Sequence, residues 1–502
     1  MDLANNRKNK LKLNMIFSIV YQLVGIICGF ILPRLILSVY GSKTNGLVNS
    51  IESILQVITL MEMGVGAVVQ SALYKPLANN DEEMISRIMY SAKKHFRLIG
   101  LIFILFVGGV LIVYPSHVSN EFDVLVTIYL IVAISISLFS QYFFGIVNSL
   151  LIQADQKSYI YYIIQIIAMV SNTIICSLLM MQGVSIIIIK FTTASIFLIK
   201  PILLYLYVRK NYNLIPIKGK GNELPQKWNG IAQHIASYIL MNTDVLVLTF
   251  FSKIENVSIY STYYLVAYSL RVIITAFTAG FQSYYGNQYA SNELSNLKKD
   301  FEKYTFVTLL LSTLIFSVAI IMIVPFVLCY TSGVTDANYN QYVFGVLLLL
   351  GQYMFCYRRT FNILVLSLGK FKETQKSSII ESLLNLVVSV ILFAKYGLVG
   401  VAIGTYIAMF YRTISFALYF SKNILNRSIS KLFKDISINY IIIFLSIIIG
   451  YYINVYIEIN NFVQWIICSC IASIIILLSI IVINLIFNKE KINYIKQIKR
   501  KI

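Results

Sequence analysis

Fourteen apolar stretches lie between Leu13 and Phe487, and the basic residues fall on alternate gaps between them. The stretches run approximately over 13–37, 45–73, 96–114, 124–150, 159–181, 184–208, 229–251, 259–285, 303–331, 341–366, 377–394, 398–421, 438–457 and 463–487. Each holds about 20 residues, the length an α-helix needs to cross a hydrocarbon core of about 30 Å. Arg97 and Lys303 sit at the edges of their spans and are counted here with the adjoining loops. On that count 31 of the 41 Lys and Arg lie in even gaps and tails, 3 in odd gaps and 7 inside the spans. Basic loops stay in the cytoplasm, so both termini are expected there and the chain is expected to be multi-pass.

Only 12% of the chain is charged and 58% is hydrophobic, against about 25% charged in a soluble domain. Helices satisfy their own backbone hydrogen bonds in lipid. The alternating ten-residue strands of a membrane barrel are not present. The expected class is therefore an all-α polytopic membrane protein. A net charge of +20 would ordinarily raise nucleic acid as a partner. Here the charge is dispersed as one small cluster per cytoplasmic loop, which fixes topology and meets anionic membrane lipids, so no nucleic-acid partner is expected. The six cysteines (Cys28, Cys176, Cys329, Cys356, Cys468, Cys470) all lie in apolar runs. No CxxC and no His pair at ligand spacing occurs, so neither a metal nor a disulfide frame is implied.

Arg7, Lys8, Lys10 and Lys12 precede an apolar run too long for a signal core, which reads as a first membrane helix with its N-terminus inside. Richness in Ile, Asn, Tyr and Lys suggests an AT-rich bacterial genome, and with it the plasma (inner) membrane. Outside loops are short: Gln182-Gly183 and Lys395 to Gly397 are near-turns. The inside loop Arg209 to Trp228 carries Pro216, Gly219, Gly221 and Pro225 and reads as a linker. A weak internal repeat supports two halves. Ser42-Lys43 and Tyr74 recur as Ser252-Lys253 and Tyr284, and Gln156-Lys157-Ser158 recurs as Gln375-Lys376-Ser377. Six spans separate the copies, so they share one orientation, as in a parallel repeat. The expected organisation is an N-terminal lobe over 1–208, a linker over 209–228, a C-terminal lobe over 229–421, and two further helices with a basic tail over 422–502. Two six-helix lobes would face each other across a central cleft.

Seven cations remain inside the spans: Arg34, Lys190, Lys200, Arg271, Arg358, Arg359 and Arg412. Each costs about 2.5–3.5 kcal/mol at mid-bilayer if unpaired, so each must meet an acid, another polar group or a wet cavity. The acids at similar depth are Glu52, Glu62, Asp244 and Glu381. Arg271 and Arg412 lie near the midplane. Lys190 and Arg34 lie toward the outside. Lys200, Arg358 and Arg359 lie toward the cytoplasm, where long side chains snorkel. Arg358 and Arg359 point about 100° apart on a helix, so one of them suffices for a cleft. Two readings follow for Arg271 and Arg412: buried ion pairs, or a cationic cleft for an anionic substrate such as a phosphate, whose oxygens the guanidinium fork fits. Cations outnumber acids, which disfavours a cationic cargo. Glu62, ahead of Gly64 and Gly66, and Asp244 are candidates for proton or Na+ coupling, or for counter-ions; Glu52 belongs with them. His234 is either a relay or a packing residue. Tyr263, Tyr264, Tyr268 and Tyr284 are either interfacial or cleft-lining. No Walker, HExxH or GxSxG sequence occurs, and the outside loops are too short for an external catalytic domain, so no enzyme and no cofactor are expected.

"YGSKTNGLVNSI" after the first span, "EMGVGAVVQSALYKPLANND" at the end of the second and "YGLVGVAIGTYIA" at the eleventh to twelfth resemble the polysaccharide (Wzx-type) flippases of the multidrug/oligosaccharidyl-lipid/polysaccharide exporter superfamily. The resemblance covers nearly the whole chain. It implies fourteen helices in two six-helix lobes plus two more, moving an undecaprenyl-pyrophosphate-linked oligosaccharide by alternating access. It also implies cavity cations that hold the pyrophosphate, a role it assigns here to Arg271 and Arg412 first, then Arg34, Lys190 and one of Arg358 and Arg359. The implied products are capsule, O-antigen or teichoic-type polymers. The implied partners are the lipid-linked oligosaccharide, membrane lipids, and a glycan polymerase with glycosyltransferases; the protein itself is expected to be a monomer. The alternatives are an ion-coupled small-molecule exporter of the same superfamily, a lipid II flippase, or a membrane glycosyltransferase or polymerase. Lipid II flippases crowd arginines into the first two helices, where this chain has only Arg34.

The charge sorting predicts opposite labelling of two loops. In a cysteine-free background, Ser119→Cys is expected to react with an impermeant thiol reagent in intact cells, and Asn80→Cys only after permeabilisation. The reverse pattern would invert the topology.

Overall fold

A computed structural model describes residues 2–59, 65–215, 231–278, 281–426 and 428–487. These form an all-helical, polytopic membrane fold with no strand among the described residues. The helices are α1 (Asp2–Leu55), α2 (Val65–Asn79), α3 (Glu82–His117), α4 (Val124–Ser140), α5 (Ile146–Ala154), α6 (Ser158–Met181), α7 (Ile186–Asn211), α8 (Ile231–Phe251), α9 (Ile254–Thr278), α10 (Phe281–Ala290), α11 (Leu294–Tyr330), α12 (Tyr342–Leu368), α13 (Phe371–Tyr396), α14 (Leu398–Phe420), α15 (Ile429–Tyr456) and α16 (Phe462–Phe487). Short π-helical turns follow α4 at Gln141–Gly145 and α14 at Ser421–Leu425. Eleven of the described helices are long and apolar enough to cross a membrane. Their outer faces carry Ile, Leu and Val exposed in rows, as at Ile467, Ile471, Ile474 and Leu478 of α16, which is what a lipid solvent requires.

Every apolar stretch of the sequence meets a helix. The first stretch and the start of the second lie together in α1, divided at Gly41, whose φ of 81° and ψ of 175° are not helical. A residue with a Cβ rarely adopts that φ, so this glycine takes the place of a longer connection. The α12 stretch falls short of the usual apolarity of a membrane span because Gln352, Arg358 and Arg359 interrupt it.

The chain divides into two compact units, 1–238 and 239–502. The division falls inside α8, past the predicted linker, whose residues from 216 onward lie outside the described set. So do Glu62 and the chain beyond 487.

In the first unit, the Tyr114 hydroxyl of α3 shares a 2.7 Å hydrogen bond with Ser50 of α1. The Tyr40 hydroxyl donates to the Val184 carbonyl ahead of α7. At the other end, Asp155 accepts from Lys157 at 2.7 Å and from the Tyr212 hydroxyl at 2.7 Å, with Lys10 at 3.6 Å. Burial, and then the Asp155 carboxylate, push the Tyr212 phenol well above its ordinary pKa. Asn14 donates to the Gln156 carbonyl at 2.9 Å and accepts from the Tyr159 amide at 2.8 Å. This cluster ties the start of α1 to the α5–α6 connection and to the chain beyond α7.

In the second unit, α12, α13 and α14 pack against one another, and α11 carries α15 and α16 on its flank. Trp465 donates to the Met322 carbonyl at 3.1 Å, and Ile321, Ile442, Ala472, Ile476 and Ile480 form the apolar seam there. The α13–α14 contact depends on Gly404. A Cβ there would lie 2.7 Å from the Ser389 amide nitrogen and 2.9 Å from its Cα. Small residues let membrane helices approach this closely.

Gly404→Ala is expected to destabilise the protein by about 1–3 kcal/mol, the usual cost of overpacking. Gly25→Ala, whose added Cβ meets nothing within 4 Å, is expected to be neutral or mildly stabilising. Thermal unfolding of the two purified variants checks the contrast.

Candidate functional site

The sequence-predicted residues gather into three polar groups, each within one unit. The first is a knot of charge in the second unit. Glu381 of α13 accepts from Arg358 of α12 through one carboxylate oxygen and from Arg412 of α14 through the other. Glu381 is 1% exposed, Arg358 4% and Arg412 5%, so all three are out of contact with lipid and bulk water. One carboxylate serves two guanidiniums, which leaves the knot cationic. The Arg412 Nε is buried and makes no hydrogen bond.

Arg271 of α9 lies against the same wall. Phe355 of α12 stands between the two groups, its ring centroid 4.7 Å from the Arg271 guanidinium carbon and 4.9 Å from that of Arg358. Arg271 donates to Gln352 Oε1 at 3.2 Å and to the Tyr264 hydroxyl at 3.4 Å, and Tyr268 covers it at 4.7 Å. No carboxylate pairs with Arg271 among the described residues. Aromatic faces and a neutral amide hold the charge in place. Arg359, the neighbour of Arg358, is half-buried on a different face of α12.

The second group centres on Asp244 of α8, 2% exposed. Tyr260 donates to it at 2.9 Å, Thr405 at 2.7 and 2.8 Å, and Asn385 at 3.3 Å. Asn385 also donates to Thr405 at 2.8 Å, and its own Oδ1 is buried without a partner. No Lys or Arg pairs with Asp244 among the described residues. Neutral side chains from α9, α13 and α14 thus surround a buried carboxylate, a set suited to a proton or a hard monovalent cation. The described residues hold no cluster of three His, Cys, Asp or Glu side chains fit for a metal. Tyr260 stacks on Tyr264 at 5.6 Å, so Asp244 connects through two phenols to Arg271.

The third group, in the first unit, is built differently. Lys190 of α7 pairs with Glu52 of α1 at 2.8 Å. The pair lines a cavity of about 740 Å3 whose walls come from α1, α2, α4, α5, α6 and α7. Lys200 lies on its wall with Phe197 beneath it at 3.8 Å. Five glutamines also line it: Gln56, Gln70, Gln141, Gln153 and Gln165. Glu52, Lys190, Thr193 and Phe197 line a smaller pocket of about 320 Å3 as well. Arg34, half-buried beside Pro33, borders neither. Among the predicted tyrosines, Tyr263 is buried with its hydroxyl donating to the Tyr339 carbonyl at 2.7 Å. Tyr284 reaches Asp300 at 2.6 Å. The His234 side chain lies outside the described set.

Sequence reasoning passed over the glutamines. Their signal was present, since five amides interrupt apolar or loop-edge sequence in the first 165 residues. A search restricted to formal charge does not see them.

No family model matches this sequence, and no curated protein matches it. Solved structures do match. The inward closed conformation of the lipid II flippase MurJ is 16% identical, with 96% of this chain and 99% of that one covered at a TM-score of 0.70. An inward-facing MATE multidrug resistance transporter of the MOP superfamily is 14% identical, covering 82% and 98%, at 0.63. The MATE multidrug transporter DinF-BH is 14% identical, covering 84% and 97%, at 0.59. The chain has the polytopic helical fold common to these proteins.

Removing the shared carboxylate strands two buried arginines, a loss of about 3–5 kcal/mol for a broken buried pair. Glu381→Ala is therefore expected to lower the melting temperature far more than Glu52→Ala, whose side chain is 41% exposed to the cavity and whose pair is worth about 0–1 kcal/mol. Parallel melting curves of the two variants test the ranking.

Proposed function

We propose that the protein is a flippase that moves undecaprenyl-pyrophosphate-linked oligosaccharide across the bacterial plasma membrane by alternating access. The observation that carries this reading is the surplus of buried arginine in the second unit. Arg271, Arg358 and Arg412 are all at least nine-tenths buried, and among the described residues Glu381 alone pairs with any of them. Lipid-depth guanidiniums left without a full set of carboxylates favour an anionic cargo, and a diphosphate accepts from the guanidinium fork. The likeness to MurJ and the MATE proteins supports a fold able to do this and does not choose among cargoes. Asp244 is the proposed site of H+ or Na+ coupling, because its cage is neutral and oxygen-rich and its phenol contacts lead to Arg271. Glu62 stays a second candidate from sequence alone, and Arg34, Lys190 and Arg359 stay candidate headgroup contacts. The proposed orientation places both termini in the cytoplasm. The proposed setting is the synthesis of a capsule, O-antigen or teichoic-type polymer, between glycosyltransferases that build the glycan and a polymerase that extends it.

The competing reading is an ion-coupled exporter of small molecules, which the MATE likeness favours equally at the level of fold. Cargo charge separates the two. In proteoliposomes, a fluorescent lipid-diphosphate glycan is expected to cross with the wild-type protein, and a cationic dye is not. Arg271→Ala is expected to slow the crossing by at least about tenfold, the equivalent of about 1.4 kcal/mol, with Arg271→Lys intermediate. Normal crossing by a well-folded Arg271→Ala variant removes Arg271 from the site, and transport of the dye in place of the lipid overturns the flippase reading.

A further inference from the structure

We propose that the amide-lined cavity of the first unit is the saccharide subsite of the headgroup, with Lys200 supplying the one unpaired positive charge among its described lining residues. The proposal rests on the flippase reading and names the part of the headgroup held here.

Part of the cavity's hydrogen-bonding capacity is used within the protein and part is not. Gln70 and Gln153 bond each other at 3.3 Å. Gln56 and Gln141 are exposed on the cavity wall and Gln165 is a buried residue of it, and none of the three side chains bonds another group within the described residues. An amide carries two donor positions and one carbonyl with two lone pairs, so each of the three presents both donors and acceptors to whatever fills the cavity. Three such amides on one cavity wall suit a ligand that both donates and accepts along its surface. Sugar hydroxyls and acetamido groups do so; an apolar drug does not.

Charge narrows the class further. Glu52 is neutralised by Lys190, and no other carboxylate lines the cavity among the described residues. Lys200 has no carboxylate partner among the described residues and rests on Phe197. Among the described residues the wall thus holds one uncompensated positive charge amid neutral amides. That suits a neutral or N-acetylated sugar joined to a phosphate, and suits a polyanionic glycan poorly. Lys190 and Lys200 are ten residues apart on α7, about 15 Å at about 1.5 Å per residue, so a ligand of a few sugar rings can lie between them. The volume falls within the range of about 300–1,000 Å3 for cavities that enclose small ligands.

The backbone carries an independent sign. Gln141 opens the π-helical turn Gln141–Gly145 that joins α4 to α5, and both ends of that turn line the cavity. A single π turn inside an otherwise α-helical segment costs regular hydrogen bonding and recurs at functional sites. Here it brings Gly145 against Pro201 of α7, which lines the cavity beside it.

The test compares two probes on the full-length protein in nanodiscs: undecaprenyl pyrophosphate, and the same lipid bearing an N-acetylglucosamine disaccharide. The wild type is expected to bind the glycosylated lipid at least about tenfold more tightly than the bare one. The double variant Gln141→Leu, Gln165→Leu is expected to bring that ratio to within about twofold while leaving bare-lipid affinity unchanged. Lys200→Ala is expected to weaken both lipids alike. Gln56→Leu, at an exposed position, serves where the double variant does not fold. A glutamine variant that keeps the full preference overturns the subsite. A wild type that binds both lipids equally also overturns it and leaves the flippase reading standing, whereas a wild type that binds neither overturns both.

Discussion

Glu381 holds two arginines from two other helices, and the packing of the second unit depends on that arrangement. In lipid the hydrophobic effect does not drive helix against helix, so polar pairs and close van der Waals contact set which faces meet. Glu381 fixes α13 against α12 and α14 at once. Asp244 adds α8 and α9 to the same core through Thr405, Asn385 and Tyr260. The absence of a Cβ at Gly404 lets α13 and α14 come close enough for Asn385 to reach Thr405 at 2.8 Å. Register in this unit is therefore specified by a small number of polar side chains, any one of which is costly to lose.

The fold was readable because the bilayer imposes a simple code. Length and apolarity mark each span, and the fourteen stretches read from the chain all meet helices, from α1 at one end to α16 at the other. Boundaries were less legible where one residue does the work of a loop. Gly41 divides α1 with no polar connection to announce it, and the π turns after α4 and α14 leave no mark in hydropathy.

The charged residues were legible as a set and less so as a geometry. That Arg358, Arg412 and Glu381 are buried together follows from the cost of leaving any of them in lipid. Which acid meets which base depends on helix rotation, which an apolar pattern interrupted by single charges does not encode. The glutamines show the complementary gap. An amide in an apolar stretch costs little enough to pass unnoticed, yet five of them converge on one cavity.

The walls of that cavity are drawn from residues 52 to 204, whereas the Asp244 cage and the arginines of the second unit are drawn from residues 244 to 412. The two chemistries occupy non-overlapping stretches of a single gene. Substitutions that reshape the amide wall leave the Asp244 cage and the arginines of the second unit untouched, so the two groups of side chains can vary independently in sequence. A crossover between residues 204 and 244 would exchange one group of side chains and keep the other.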